Sequence, residues 1–233
     1  MKIVVTGVSG QLGQAFCKIL NSGDNNVIGV DIAKRPSYLA TDEFYQLDIC
    51  DTSSVEDFFQ ENNDVECLIN NAGIGVFSPS KDRTHQEFNS VMQVNLWGTF
   101  LMSNTYVKSK KSNGKVVNIA SMYGHQSSDF RIYGESKRNN SEVYTATKAG
   151  VIALTKYLAV HYAKNNFTFN SVSPGGVMRN QSVDFIKFYK AKSPQSSLAY
   201  DSEIASVVRF LAIDAPKHLN GEDILVDGGF TKW

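Results

Sequence analysis

Two tyrosine–lysine pairs with the same spacing lie close together in the segment RIYGESKRNNSEVYTATKAG, at 131–150. Tyr133 precedes Lys137 by four residues, and Tyr144 precedes Lys148 by four. Side chains four residues apart share one face of a helix. A free tyrosine has a pKa of about 10, but a nearby ammonium or another positive charge favours the phenolate. Either pair could therefore transfer a proton, and the surrounding sequence must distinguish them.

The pair Tyr144–Lys148 opens a segment with the pattern of a long helix. Its apolar positions recur at helical spacing, at Val151, Leu154, Leu158 and Tyr162. Asn140 or Ser141 can cap its first turn. The sequence therefore predicts a helix over 141–165 with Tyr144 and Lys148 on one face, and we take Tyr144 as the acid–base group.

The pair Tyr133–Lys137 lies in the polar stretch DFRIYGESKRNN, which has no helical apolar stripe. We therefore expect Tyr133 to lie on a loop or lid over a site. The same stretch carries Arg131, Lys137 and Arg138, which could bind a phosphate or carboxylate of a substrate. Solvated charges on a lid are an equally good explanation.

A glycine-rich turn, TGVSGQLG, places Gly7, Gly10 and Gly13 between an apolar strand and a helix. Glycines there allow a tight turn and close approach of a phosphate, and the helix N-terminus offers free N–H groups to a pyrophosphate. We expect Ser9, Gln11 and Leu12 to contribute to the same site. The turn predicts a dinucleotide at the first strand.

Two aspartates follow the next two predicted strands. Asp31 ends the second strand and can accept hydrogen bonds from adenosine ribose hydroxyls. Its charge would repel the additional phosphate of NADP, so the sequence favours NAD, although Lys34 and Arg35 follow closely. The alternative is that Asp31 only caps a turn. Asp48 ends the third predicted strand, where ligands bind in parallel sheets.

Short β-branched runs alternate with helical segments along the chain, which indicates βαβ units and a parallel sheet with helices on both faces. NNAG ends the fourth strand at the edge where the glycine turn lies. We expect no linker, repeat or second domain in residues 1–233. The predicted strands are 2–6, 26–31, 44–49, 65–70, 115–121, 167–173 and 222–227, and the predicted helices are 11–22, 54–62, 84–110, 141–165 and 202–214.

Composition excludes several other classes of protein. The chain has 233 residues with 23 basic and 23 acidic side chains, which gives no support for nucleic-acid binding. The cysteines Cys17, Cys50 and Cys67 are scattered and predict neither disulfides nor a metal site. No apolar run is long enough for a bilayer, and the N-terminus lacks a signal-peptide pattern, so we expect a soluble cytoplasmic protein.

Taken together, these motifs resemble the short-chain dehydrogenase/reductase family over nearly the whole chain. The resemblance implies an α/β fold, namely a single doubly wound Rossmann-type domain with a parallel seven-stranded sheet. It also implies a nicotinamide cofactor, a small-molecule substrate and a homodimer or homotetramer. The motifs are TGVSGQLG, Asp31, Asp48, NNAG, Asn95 in VMQVNLWGTF, Ser121 in VVNIASMYG, YTATK, NSVSPGG and ILVDGG.

The resemblance also implies a role for each matching residue. Tyr144 would be the general acid–base, and Lys148 would hold the nicotinamide ribose and lower the pKa of the tyrosine. Ser121 would hydrogen-bond the substrate oxygen, and Asn95 would anchor a water linked to Lys148. Judged without the family, Ser121 could equally be a strand-end turn residue and Asn95 a polar group in a helix kink. Further cofactor contacts would come from Ile49, Asn71, Ala72, Gly73, Pro174, Gly175 and Val177.

Three features depart from the compact branch of the family that the chain otherwise resembles. The glycines follow the GxxGxxG spacing of the extended branch. The separation of Ser121 and Tyr144 is longer than usual, and Tyr133 has the more ordinary spacing. The threonine that often follows PG is absent, and Arg179, Asn180 and Gln181 occupy that region. A long segment between the serine and the tyrosine, like that between Ser121 and Tyr144, also resembles, more loosely, the corresponding segment of dehydrogenases of bacterial surface-sugar and sialic-acid-like sugar pathways.

The sequence therefore predicts hydride transfer between NAD(H) and a secondary alcohol or ketone on a polar or sugar-like substrate. One alternative is an epimerase or dehydratase that takes hydride and returns it, which the glycine spacing allows. Another is a non-catalytic NAD-binding module on the same fold.

Overall fold

The computed structural model describes residues 1–110, 112–134 and 140–233. Seven parallel strands form one sheet in the order β3-β2-β1-β4-β5-β6-β7, a Rossmann-like arrangement. The chain order reverses between β1 and β4, where a crevice forms at the carboxyl ends of the strands. The strands are β1 Lys2–Thr6, β2 Asn26–Asp31, β3 Glu43–Gln46, β4 Cys67–Asn70, β5 Gly114–Ile119, β6 Phe167–Pro174 and β7 Asp223–Val226.

The helices cover both faces of the sheet. They are α1 Gln11–Leu20, α2 Thr52–Glu61, α3 His85–Met92, α4 Thr99–Ser109, α5 Glu142–Tyr162, α6 Val183–Lys192 and α7 Asp201–Arg209. A π-helical turn, Gln93–Gly98, joins α3 to α4, and another, Phe210–Asp214, extends α7. Short 3₁₀ turns at Met122–Gly124 and Phe130–Tyr133 occupy the segment between β5 and α5. In the described ranges, every helix is too short or too polar to span a bilayer.

Alternating side chains of β1 enter two separate cores. Val4 packs with residues of α2, α4 and α5 on one face, including Phe58 and Tyr106. Ile3 and Val5 face the opposite way and join α1 and α7. All these side chains are fully or almost fully buried, and each large apolar side chain removed from water contributes roughly 1.5–3 kcal/mol. The two cores hold the sheet rigid beneath its carboxyl edge.

The predicted order of strands and helices is confirmed, with three corrections. The third strand ends at Gln46 rather than at 49, because the chain turns into the cap of α2, so Asp48 lies beyond the strand. The helix predicted over 84–110 is interrupted by the π turn that carries Asn95. No helix is predicted between 173 and 202, where the structure contains the helix α6.

Candidate active site

A cleft of about 840 Å³ runs along the carboxyl edge of the sheet. It is lined by residues that follow β1, β2, β4, β5 and β6 and by the first turns of α1 and α5. All of the predicted catalytic and cofactor residues line it except Gly13 and Asn95, which lie directly behind its wall. The sequence thus predicted residues that the fold brings together from distant parts of the chain.

Two glycines shape the turn after β1. Gly7 has a φ of +69°, and a Cβ there would lie 2.7 Å from the Cα of Ala72. A Cβ on Gly13 would lie only 2.2 Å from the Gly7 carbonyl oxygen, so α1 can start this close to the turn only without a side chain. Gly13 therefore allows packing and does not line the cleft.

The turn offers unused polar groups to an anion. The Ser9 hydroxyl has no hydrogen-bond partner among the described residues although its oxygen is shielded from solvent. Helix α1 begins after Gly10 with no side-chain capping bond. A helix N-terminus with free N–H groups attracts phosphate. These residues fit the diphosphate of a dinucleotide.

Asp31 lies at the end of β2, beside the same turn. Its carboxylate accepts the backbone N–H of Ser9 at 2.8 Å and that of Ala33 at 2.9 Å. These two bonds fix the carboxylate at the wall of the cleft. Asp48 lies farther along this wall, is exposed, and accepts the Cys50 N–H at 2.9 Å.

Thr6 joins the segment after β4 to the glycine turn. Its hydroxyl accepts the backbone N–H groups of Asn71 and Ala72, each at 3.0 Å. The Asn71 side-chain amide donates to the carbonyl oxygens of Thr6 and Gly7 at 2.9 and 3.0 Å. The predicted segment 71–73 therefore forms one unit with the phosphate turn.

The side chains of Ser121 and Tyr144 both line the cleft, and the Ser121 hydroxyl interacts with the Tyr144 phenol. Ser121 caps the 3₁₀ turn after β5, and its oxygen accepts the Tyr123 N–H at 3.2 Å. Ser141 caps α5 by accepting the Tyr144 N–H at 3.2 Å, which settles the choice between Asn140 and Ser141. Burial raises the pKa of Tyr144. The interaction with Ser121 lowers this pKa, and the nearby Tyr133 raises it further. The lowering of this pKa that we expect from the Lys148 ammonium and a positive nicotinamide stays a prediction.

Lys148 is buried one turn along α5 from Tyr144. Its Nζ donates to the Ile119 carbonyl oxygen at 2.7 Å and lies 5.6 Å from the centre of the Tyr144 ring. Burial lowers the pKa of Lys148 from 10.5 to about 8. The ammonium is therefore still the main form at neutral pH, within electrostatic range of the phenol.

Asn95 projects from the π turn between α3 and α4 and is buried. Its side-chain amide exchanges two hydrogen bonds with the backbone of Ile74, at 2.8 and 2.9 Å. It also donates to the Thr147 hydroxyl at 3.2 Å, and Thr147 in turn donates to the Tyr144 carbonyl oxygen at 2.8 Å. Asn95 therefore couples the segment after β4 to the first turn of α5.

The loop after β6 rests on a tyrosine that the sequence reasoning missed. Tyr189 of α6 is buried, and its hydroxyl accepts the Gly176 N–H at 2.7 Å. Gly175 is held by the Val226 carbonyl at 2.9 Å, and Val177 pairs with Ala199. The sequence does carry a signal for this helix. In SVDFIKFYKAK, Ser182 and Asp184 precede the apolar positions, which is the pattern of a helix N-terminus.

Tyr133 lies in the cleft beside the catalytic candidates rather than away from them. Its hydroxyl hydrogen-bonds with Tyr123, and its ring packs on Phe185 with 5.6 Å between centroids. Arg131 forms an ion pair with Asp129 at 2.8 Å and lines a separate surface pocket, so it does not reach the cleft. Lys137 and Arg138 lie outside the described residues. Within the described ranges, no group of three metal-binding side chains was found.

Comparison with known proteins places this architecture among related chains. A family model described as enoyl-(acyl carrier protein) reductase matches residues 7–231. The 3-oxoacyl-(acyl-carrier-protein) reductase of Buchnera aphidicola subsp. Schizaphis graminum is 31% identical over 242 residues, which cover 97% of this chain and 95% of that protein.

Two solved structures show the same fold. A short-chain dehydrogenase of Leptospira borgpetersenii serovar Hardjo-bovis with bound NAD⁺ is 38% identical with a TM-score of 0.90, covering 99% of this chain and 92% of that one. A protein of Agrobacterium tumefaciens, provisionally described as a 2-deoxy-D-gluconate 3-dehydrogenase with bound NADP, is 26% identical with a TM-score of 0.85. That alignment covers 100% of this chain and 96% of the other. The similar proteins thus include one solved with each form of the cofactor.

Proposed function

This chain belongs to the short-chain dehydrogenase/reductase family of NAD(P)-dependent oxidoreductases, and from that premise we propose that it interconverts a secondary alcohol and a ketone. The observation that carries the proposal is the placement of the Ser121 and Tyr144 side chains beside the buried Lys148, in a cleft that also contains the phosphate turn. The nicotinamide, when bound, accepts or supplies the hydride.

Tyr144 holds the proton in this proposal. During oxidation its phenolate takes the proton of the substrate hydroxyl, and during reduction its phenol returns a proton to the carbonyl oxygen. Ser121 directs its hydroxyl toward the same oxygen, because its own oxygen already accepts the Tyr123 N–H. Proton transfer by a positioned side chain contributes about 100- to 10,000-fold to a rate.

Lys148 and Asn95 support this proton transfer. One ammonium hydrogen of Lys148 is bound by the Ile119 carbonyl, which leaves two for a ribose hydroxyl and a water. Its charge stabilises the phenolate of Tyr144 at a distance. Asn95 fixes the backbone of Ile74 and the start of α5, and we assign to it the anchoring of the water that connects Lys148 to solvent.

We propose NAD as the preferred cofactor. Asp31 is fixed by two backbone N–H groups at the wall where an adenosine ribose would bind, and its carboxylate repels a 2′-phosphate. Asp48 and Ile49 would flank the adenine end. The remaining proposed cofactor contacts are Gly7, Ser9, Gly10, Gln11, Leu12, Asn71, Ala72, Gly73, Tyr144, Lys148, Pro174, Gly175 and Val177, with Gly13 in support.

The substrate end of the cleft favours a compact polar molecule. Its walls combine the aromatic rings of Tyr133, Phe185 and Tyr189 with the polar side chain of Asn140. Such walls suit a sugar-like ring, whose faces are apolar and whose rim carries hydroxyls.

We further propose that residues 1–233 form one domain, that the protein is a cytoplasmic homodimer or homotetramer, and that it binds neither nucleic acid nor membranes.

The experiment follows NADH formation with a panel of secondary alcohols, sugars and sugar phosphates, each with NAD⁺ and with NADP⁺. Net NADH formation with a responding substrate supports a dehydrogenase. Substrate conversion without net NADH would instead identify an epimerase or dehydratase. Binding of NAD⁺ without conversion of any panel member would contradict the proposed reaction and favour a binding module.

A further inference from the structure

Four charged residues line the cleft, and one of them has no assigned partner. Asp31 and Asp48 lie toward the adenosine end, and Lys148 is buried beside Tyr144. The fourth is Arg179, on the loop between β6 and α6, and it is exposed. Throughout the described ranges, its guanidinium forms no ion pair and no hydrogen bond.

The backbone of this loop is firmly held. The Arg179 N–H donates to the Gln181 side-chain oxygen at 2.6 Å, and the Gln181 amide donates to the Val177 carbonyl at 2.6 Å. The Met178 N–H donates to the Ala199 carbonyl at 2.8 Å. The backbone that carries Arg179 is thus fixed, which lowers the conformational entropy lost when its side chain binds an ion.

One contact places the backbone of this loop opposite the phosphate turn. The side chain of Gln11, the first residue of α1, donates to the Met178 carbonyl oxygen at 2.7 Å. The residue next to Arg179 therefore touches the N-terminus of α1, where the Ser9 hydroxyl has no partner among the described residues. The loop that carries Arg179 and the N-terminus of α1 are thus in contact along the wall of the cleft.

We propose that Arg179 binds the diphosphate of the dinucleotide from the side opposite the glycine turn. A planar guanidinium pairs with phosphate oxygens through two parallel hydrogen bonds, which a lysine ammonium does not reproduce. This contact closes the loop after β6 over the cofactor and adds to the anion site at α1. The inference rests on the proposed use of a dinucleotide.

The test measures dissociation constants of NADH, ADP-ribose and adenosine by calorimetry for the wild type, Arg179→Gln and Arg179→Lys. Arg209→Gln is the matched control, because Arg209 is an exposed arginine paired with Asp214 on α7, outside the cleft. We expect Arg179→Gln to weaken NADH and ADP-ribose about tenfold or more at low salt and to leave adenosine unchanged. Arg179→Lys should recover only part of the loss, and the salt dependence of NADH binding should become shallower in Arg179→Gln.

Equal NADH affinity in wild type and Arg179→Gln would overturn the inference. A raised Michaelis constant confined to phosphorylated or carboxylated substrates, with NADH affinity unchanged, would also overturn it by assigning Arg179 to a substrate anion. Either result leaves the proposed function intact, whereas absence of NADH and NADPH binding in the wild type would contradict the proposed function itself.

Discussion

The side chains of Ser121 and Tyr144 interact in the cleft although a second tyrosine, Tyr133, lies between them in the chain. They come together because β5 ends just before Ser121 and α5 begins just before Tyr144, at the same edge of the sheet. Within the intervening segment, Met122–Gly124 and Phe130–Tyr133 form two 3₁₀ turns, and Tyr123 and Tyr133 line the cleft. Tyr133 therefore forms part of the wall next to Ser121 and Tyr144, and its side chain interacts with Tyr123.

Asp31 provides a prediction about cofactor choice. We expect Asp31→Asn to shift the ratio of NADPH to NADH affinity at least about tenfold toward NADPH, because two unit charges about 4 Å apart near a protein surface interact by about 4 kcal/mol. Asparagine keeps an oxygen that can still accept a backbone N–H. The measurement is the dissociation constant of each reduced cofactor. An unchanged ratio would remove Asp31 from cofactor selection, and Asp57→Asn, an exposed change on α2, is the control.

The buried Lys148 predicts a pH-dependent stability. Its pKa of about 8 in the folded chain lies below its value of 10.5, so the unfolded chain binds more protons between these pH values. Stability from this group therefore rises as pH increases from about 8 to 10.5. At pH 7 this effect should make Lys148→Met more stable relative to wild type. The unfolding free energy of the variant minus that of the wild type should then fall by about 3 kcal/mol between pH 7 and pH 10.5.

The measurement is urea unfolding of both proteins across this pH range. Lys156→Met is the matched control, because Lys156 lies on the same helix but is exposed. A difference between Lys148→Met and wild type that stays constant with pH would mean that the Lys148 pKa is not lowered by folding.

Tyr189 predicts a separation of binding from chemistry. Tyr189→Phe removes the acceptor of the Gly176 N–H, and a buried donor left without a partner costs about 1–3 kcal/mol. We expect lower stability and a higher Michaelis constant for the dinucleotide, with a kcat close to that of the wild type. Tyr157→Phe, an exposed change on α5, should alter neither quantity. A large fall in kcat alone for Tyr189→Phe would contradict the supporting role of this residue.

Much of the fold followed from local sequence patterns. Ile3, Val4 and Val5 are apolar without interruption because both faces of β1 are covered, and that pattern distinguishes a buried parallel strand. The turn after β1 could be predicted from its glycines, because Gly7 and Gly13 occupy positions where a Cβ would overlap the backbone. These features depend on neighbours close in sequence or on steric limits that only glycine meets.

Other features depended on contacts that the sequence does not encode locally. In the chain by itself, burial raises the pKa of Tyr144 more than the interaction with Ser121 lowers it, and the lowering expected from the Lys148 ammonium and the positive nicotinamide stays a prediction. Arg131 was a candidate for substrate binding, but Asp129 holds it outside the cleft. The support of Gly176 by Tyr189 joins residues from different elements, and only the packing of α6 against the loop brings them together.

The proton transfer proposed for Tyr144 can be measured by comparing kcat for Tyr144→Phe, Tyr133→Phe and wild type with one responding substrate. We predict that Tyr144→Phe lowers kcat by about 100- to 10,000-fold while the dissociation constant of NADH stays close to that of the wild type. Tyr133→Phe should retain most of the kcat, because the Tyr133 side chain interacts with Tyr123, outside the proposed Ser121–Tyr144–Lys148 set. Turnover lost in Tyr133→Phe and kept in Tyr144→Phe would contradict this proposal and assign the proton transfer to the other tyrosine.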